Sequence, residues 1–287
     1  MKYCGRTFSE QELEQIRTLI RQDPSPNRTE LSRLVCRALA WYKPDGALKD
    51  MSCRVAMLRM QADELIQLPP SQRKKPRKKP DRYIRFTSRS DPQSPVEKPV
   101  HNLPPLAFQL VPPGDDSRLW NEFIHRYHYL GYKPLPGAQL RYFVFADQKL
   151  LALLGFGASA WQCAPRDLWI GWNHDCRKRN LHLIVNNARF LILPWIRVKN
   201  LSSKILARAA RRLPVDWLCR YKYRPVLLES FVQKNRFSGT SYKAANWTHV
   251  GQTKDRGKLG PAGKLSVPIK DLWLFPLAKN FRRALNQ

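Results

Sequence analysis

Apolar residues fall into two regimes along the chain: helical spacing up to about residue 68, then short apolar runs alternating with helical stretches from about residue 106. In the first regime, Ser9 followed by Glu12 forms a capping-box signature, and Leu13, Ile16, Leu19 and Ile20 then share one face. Asp23-Pro24-Ser25-Pro26 stops that helix. Asn27 with Glu30 repeats the signature, and Leu31, Leu34, Val35, Ala38 and Leu39 make a second stripe that ends before Pro44-Asp45-Gly46. A third helix is predicted over 48–65, burying Met51, Val55, Leu58 and Met60 and leaving Lys49, Asp50, Ser52, Arg54 and Arg59 to point elsewhere. Three short helices with a basic last one predict a helix-turn-helix module over residues 1–70, in which Lys49, Ser52 and Arg54 reach DNA. A plain three-helix bundle in a generally basic protein is the open alternative.

The second regime predicts a strand over 106–111, a helix over 117–129, and a hairpin of 140–145 with 150–157 turning at Ala146-Asp147-Gln148. An aromatic-rich irregular stretch over 160–176 follows. Beyond it come a strand at 190–193, a helix over 201–212, a buried strand at 226–232, a short helix around 238–245 and a strand at 247–252. The expected fold class is α/β (α+β), a mixed sheet with helices on its faces, over residues 105–287.

Between the two regimes lies a stretch rich in proline and positive charge, read as a basic linker over 71–104. The segment QRKKPRKKPDRYIRFTSR carries Arg73, Lys74, Lys75, Arg77, Lys78 and Lys79, and it cannot bury enough apolar surface to fold alone. It is expected to lie along a phosphate backbone, with a solvated tether as the alternative. The whole chain carries a formal net charge of +29, from 51 Lys+Arg against 22 Asp+Glu in 287 residues. Such self-repulsion points to a polyanionic partner, nucleic acid first and DNA above all, because neutralised phosphates release counterions whatever the base sequence. No run of 18 apolar residues predicts a membrane span, and a cytoplasmic protein is expected. The six cysteines show no CxxC spacing, so reduced thiols are the default.

Two stretches resemble the GCN5-related N-acetyltransferases. In LPWIRVKNLSSKIL (193–206), Arg197, Lys199, Asn200 and Ser202 stand where that family cradles the pyrophosphate of an acyl-CoA at a helix N-terminus, with both of its usual glycines replaced. In NRFSGTSYKAANW (235–247), Asn235 and Tyr242 stand seven apart and Asn246-Trp247 takes the place of Gly-Phe. The resemblance implies acyl-CoA as a candidate cofactor, leaving the cofactor itself unknown, and Tyr242 as general acid toward the departing thiolate.

A finer resemblance runs through KDMSCR (49–54), HYLGY (128–132), RFLILPWIRVKNL (189–201) and GTSYKAANWTHVGQTKDRG (239–257), which are similar to the DruA family. That membership implies a Druantia anti-phage system or a transposase-bearing mobile element, with other defence-system or transposition proteins as partners. His128-Tyr129 also resembles the Mom-type branch of the acyltransferase fold, which modifies adenine in phage DNA. On that reading His128, Tyr129, Glu229 and Tyr242 form the site. Glu229 stands out because its strand is otherwise apolar, and a buried carboxylate costs several kcal/mol unless paired or protonated. A salt bridge to Arg189 or Arg224 is its structural alternative.

Trp161, Trp169, Trp172, His174, Arg177 and Arg179 interleave aromatics with positive charge, a pattern suited to stacking on an extruded base. Cys163, His174, Cys176 and His182 match no recognised zinc spacing, so no metal is expected. No acidic set resembles a DDE or PD-(D/E)xK centre. The sequence therefore predicts a DNA-interacting protein of a phage-defence or mobile-element system that acts on or modifies bases. A non-enzymatic DNA-binding subunit and a DNA nickase linked to transposition are the alternatives.

Overall fold

The computed structural model describes residues 1–23, 25–70, 84–254 and 268–287, and the chain divides into two compact units, Met1–Arg82 and Tyr83–Gln287. Arg73, Lys74, Lys75, Arg77, Lys78 and Lys79 lie outside the described residues.

The first unit opens with a two-stranded ribbon, β1 (Lys2–Tyr3) and β2 (Arg6–Thr7), which the sequence reading missed because each strand is two residues long. Three helices follow: α1 (Glu10–Gln22), α2 (Arg28–Ala38) and α3 (Asp50–Ala62). Both capping boxes form, with Ser9 and Asn27 as N-caps and Glu12 and Glu30 reaching back. The face of α3 is turned from the one expected, with Met60 alone buried as expected. Cys53, Ala56, Met57 and Met60 enter the core, whereas Met51, Val55 and Leu58 are exposed. Both sets have helical spacing, and the smaller, tightly packing Cys53 and Ala56 win the close approach to α2. Arg54 is drawn inward too, donating from Nη1 to Thr29 Oγ1 at 2.8 Å.

The second unit contains β3 (Leu106–Leu110), α4 (Asp115–Tyr127), β4 (Leu140–Ala146), β5 (Lys149–Ala158), α5 (Ala164–Ile170) and α6 (His174–Asn180). It continues with β6 (Ile184–Ile192), α7 (Leu201–Tyr221), β7 (Leu227–Gln233), α8 (Thr240–Ala244), β8 (Thr248–Gln252), β9 (Lys270–Pro276) and α9 (Phe281–Asn286). Seven strands form one sheet in the order β3-β4-β5-β6-β7-β9-β8. The hairpin turns where expected, with Asp147 in the left-handed region at φ 54°. Residues 84–104, expected as linker, instead pack on this unit: the Val96 N–H donates to the Trp195 carbonyl, the Val96 carbonyl accepts from the Arg197 N–H, and Thr87 and Ser90 tie to α4. Helix α7 runs past Pro214 to Tyr221 because Leu213 and Trp217 extend its buried stripe. Strand β9, unpredicted, inserts between β7 and β8.

All pairings are antiparallel except β6 with β7, which are parallel and joined through α7, a crossover that parallel strands require. They pair only at Ile184–Leu227, Val185–Leu228 and Asn186–Glu229 and then separate. A bulge at Ala188 sharpens the bend: β5 pairs Phe156 with Asn187 and Gly155 with Arg189, leaving Ala188 unmatched. The gap so opened positions the site.

Candidate functional site

A cavity of about 820 Å³ fills the gap between β6 and β7. One wall comes from the end of α4 and the loop after it, Arg126 to Leu130. The other comes from Ser202 at the start of α7 and the loop into α8, through Arg236, Phe237 and Tyr242. Asn187 and Ala188 of β6 and Ser230, Phe231 and Val232 of β7 form its floor. Among the described residues no carboxylate lines it.

Tyr242 is buried at the base of the cavity beside Ser230. It donates to Asn187 Oδ1 at 2.9 Å, and Ser230 Oγ lies 2.9 Å from it and 3.2 Å from the Asn187 carbonyl. Burial raises the phenol to about 12, so it is a protonated donor at neutral pH. It is held by α8, whose N-cap Gly239 sits at φ 71° with the Trp273 ring only 2.6 Å from where a Cβ would stand. Only glycine satisfies both the left-handed backbone and that approach.

On the opposite wall His128 stacks on Tyr129, centroids 4.8 Å apart, and its Nδ1 accepts from the Leu130 N–H at 3.2 Å. Desolvation, then Arg189 and Arg236, push His128 down to about 4. Arg236 covers the Tyr129 ring at 4.8 Å, and Phe237 meets that ring edge-on at 5.2 Å.

Of the sequence candidates, His128, Tyr129, Tyr242 and Ser202 converge on this cavity. Glu229 does not. It lies on the other face of β7, fully buried, accepting from Arg166 Nη1 at 2.9 Å and from the Ala160 N–H at 2.7 Å. Its partner is thus Arg166, not Arg189 or Arg224, and the strand's alternation turns Glu229 away from Ser230. Arg166 also pairs with Asp167, and Arg177 joins the same carboxylate at 3.1 Å, so Arg177 is a structural cation. Arg179 binds the terminal Gln287 carbonyl. Trp169 stacks on Phe281 and Trp172 donates to Asp167, leaving Trp161 as the exposed tryptophan of that cluster.

The strand-to-helix segment is split as well. Arg197 pairs with Glu97 at 3.0 Å, and Lys199 is exposed outside the cavity lining. Asn200 caps α7 at φ 63°, and Ser202 Oγ accepts from Ser241 at 2.8 Å. Asn tolerates this left-handed conformation better than other non-glycine residues, so the turn survives without its glycine. Lys49, Ser52 and Arg54 belong to the helical unit. Among the described residues no group of three His, Cys, Asp or Glu could hold a metal ion.

Sequence reasoning missed Asn187, Ser230, Arg189 and Arg236. The polar Asn186-Asn187 step inside an otherwise apolar strand was the available signal for the first.

The fold is similar to spermidine N-acetyltransferase from Vibrio cholerae, at 12% identity and a TM-score of 0.39, covering 62% of this chain and 97% of that one. It is also similar to a polyamine N-acetyltransferase from Drosophila melanogaster, at 12% identity and a TM-score of 0.38, covering 60% and 100%. No curated protein sequence matches at a significant level. The antiparallel hairpin, the parallel β6–β7 pair and the crossover helix make this a mixed α+β unit. Among the described residues no helix is long and apolar enough to cross a membrane. The family model for the Druantia protein DruA matches residues 59–270, and the chain accordingly belongs to the DruA family.

Proposed function

We propose that this protein acts on nucleic acid, DNA first, within an anti-phage defence or mobile-element system, using the cavity of its acetyltransferase-like unit to modify a base. The observation that carries this reading is the cavity's chemistry: hydrogen-bond donors, aromatic rings and two arginines, with no carboxylate among the described lining residues. A polyamine, the substrate named for the similar enzymes, would meet Arg236 there and, among the described lining residues, no carboxylate to receive its ammonium groups.

An acyl-CoA fits the other wall. The first turn of α7, with Ser202 beside it, would hold its pyrophosphate, because unpaired N–H groups and the helix dipole favour an anion. When bound, the group supplies an activated acyl carbon. Tyr242 then serves as the proton source at the cavity floor, held by Asn187 and Ser230 and kept protonated by burial. His128 and Tyr129 close the opposite side.

A binding subunit without chemistry is the second reading, favoured by one observation: Arg197 is turned to Glu97 and Lys199 stands outside the cavity, so the donor's phosphates would lose two cations. The test is mass spectrometry of nucleosides from cells carrying the wild-type protein, Tyr242→Phe, or neither. A modified nucleoside present only with the wild type is expected. Its absence, together with CoA affinity too weak to detect, would leave the binding subunit standing.

A further inference from the structure

The two walls of the cavity differ in charge. The α8 side offers hydroxyls and an amide, whereas cations gather around His128 and Tyr129: Arg236 within the lining, and Arg189 and Lys270 behind it. Arg189 pairs across the sheet with Gly155, whose other partner, Arg141, bonds Ser117 and Asn121 of α4, so Arg189 faces the α4 side. It spends Nη1 on the Ala188 carbonyl at 2.7 Å, and its Nε is buried without a partner. Lys270, opposite Gln233 at the end of β7, is partly buried, and burial with Arg189 nearby lowers its pKa. Arg236 completes the group from the loop after β7.

Nearby carboxylates are already engaged. Asp91 pairs with Arg126, Glu229 with Arg166 and Asp271 with His249, while Glu122 accepts from Thr87. Among the described residues Arg189, Arg236 and Lys270 have no acidic partner within ion-pair distance. Arg189 and Lys270, partly buried and mutually repelling, raise the free energy of the folded chain, and an anion held between them and the exposed Arg236 would lower it. His128 fits the same purpose. With Nδ1 accepting from Leu130, the neutral ring carries its proton on Nε2 and is a donor.

We infer that the edge of the cavity where the loop after β7 meets His128 and Tyr129, with Arg189 and Lys270 behind it, is a receptor for a nucleotide phosphate ester. The phosphate accepts from Arg236, Arg189, Lys270 and His128 Nε2–H, and its base stacks against Tyr129 and Phe237. The inference rests on the function proposed above and names the ligand of its acceptor side. Two sources share this chemistry, a nucleic-acid strand and the nucleotide end of an acyl donor.

The test measures binding of a fluorescent 12-nucleotide single-stranded DNA, and separately of CoA, to the full chain at low salt. The variant Arg236→Glu/Lys270→Glu is compared with Arg220→Glu/Lys222→Glu, an equal charge reversal at exposed positions at the C-terminal end of α7. The cavity pair should weaken the strand at least 20-fold and flatten its salt dependence by about 1.4, from roughly 0.7 per phosphate contact. The control pair should weaken it less than threefold. Selective loss of CoA alone would assign the phosphate to the donor. Equal losses from both pairs for both ligands would overturn the site while leaving nucleic-acid binding intact. Wild type that ignores the strand would instead remove the function proposed above, with the CoA arm still deciding the receptor. Arg236→Gln/Lys270→Gln, with an unchanged circular dichroism spectrum, guards against misfolding and should show an intermediate loss.

Discussion

Residues 1–70 carry eleven Lys+Arg against nine Asp+Glu, whereas residues 105–287 carry thirty against ten. The helical unit neutralises itself: Arg6 pairs with Glu12, and Arg17 and Arg21 pair with Glu14. The sheet unit leaves cations unpaired where its strands part. Two regions that a global charge made look alike therefore differ in what they do with it. The contrast moves the weight of the nucleic-acid reading from the helix-turn-helix expectation to the cavity and the basic stretch before it.

That contrast can be broken at several levels. The largest effect is expected at Arg166→Met, which leaves Glu229 charged and buried. Breaking such a pair costs about 3–5 kcal/mol, read from denaturant unfolding of the sheet unit. Tyr242→Phe should lower any base modification by about 10²-fold or more if the phenol is the acid, while costing stability only about 1 kcal/mol. An equal fall in both would make it a structural tyrosine. Ser9→Ala should cost about 1 kcal/mol and act on the helical unit alone, leaving strand affinity unchanged.

The pH test is smaller and is read by difference. His128 titrates near 6.5 when unfolded and about 4 when folded, so the unfolded chain binds more protons between those values. Stability should therefore fall as pH drops from 6.5 toward 4, and His128→Asn should flatten that part of the profile. An identical profile in the variant would mean that His128 is not held neutral.

Local signals were the most legible ones. Both capping boxes, the Asp147 turn and the Tyr242 segment depend on neighbours in sequence, and each is found where the pattern put it. The face of α3 was not legible because two apolar stripes compete on one helix and only packing against α2 decides between them. Glu229 was correctly read as buried, but its partner Arg166 lies 63 residues away, beyond any local rule. Strand β9 was missed since its place between β7 and β8 follows from tertiary pairing. The cation group of Arg189, Arg236 and Lys270 comes from three segments, and no spacing along the chain announces it.

The most direct measurement is photocrosslinking of a 5-iodouracil-substituted single strand to the full chain, followed by peptide mapping. Adducts at Tyr129 or Phe237 are the predicted result. Adducts confined to residues 49–59 of the helical unit would contradict it.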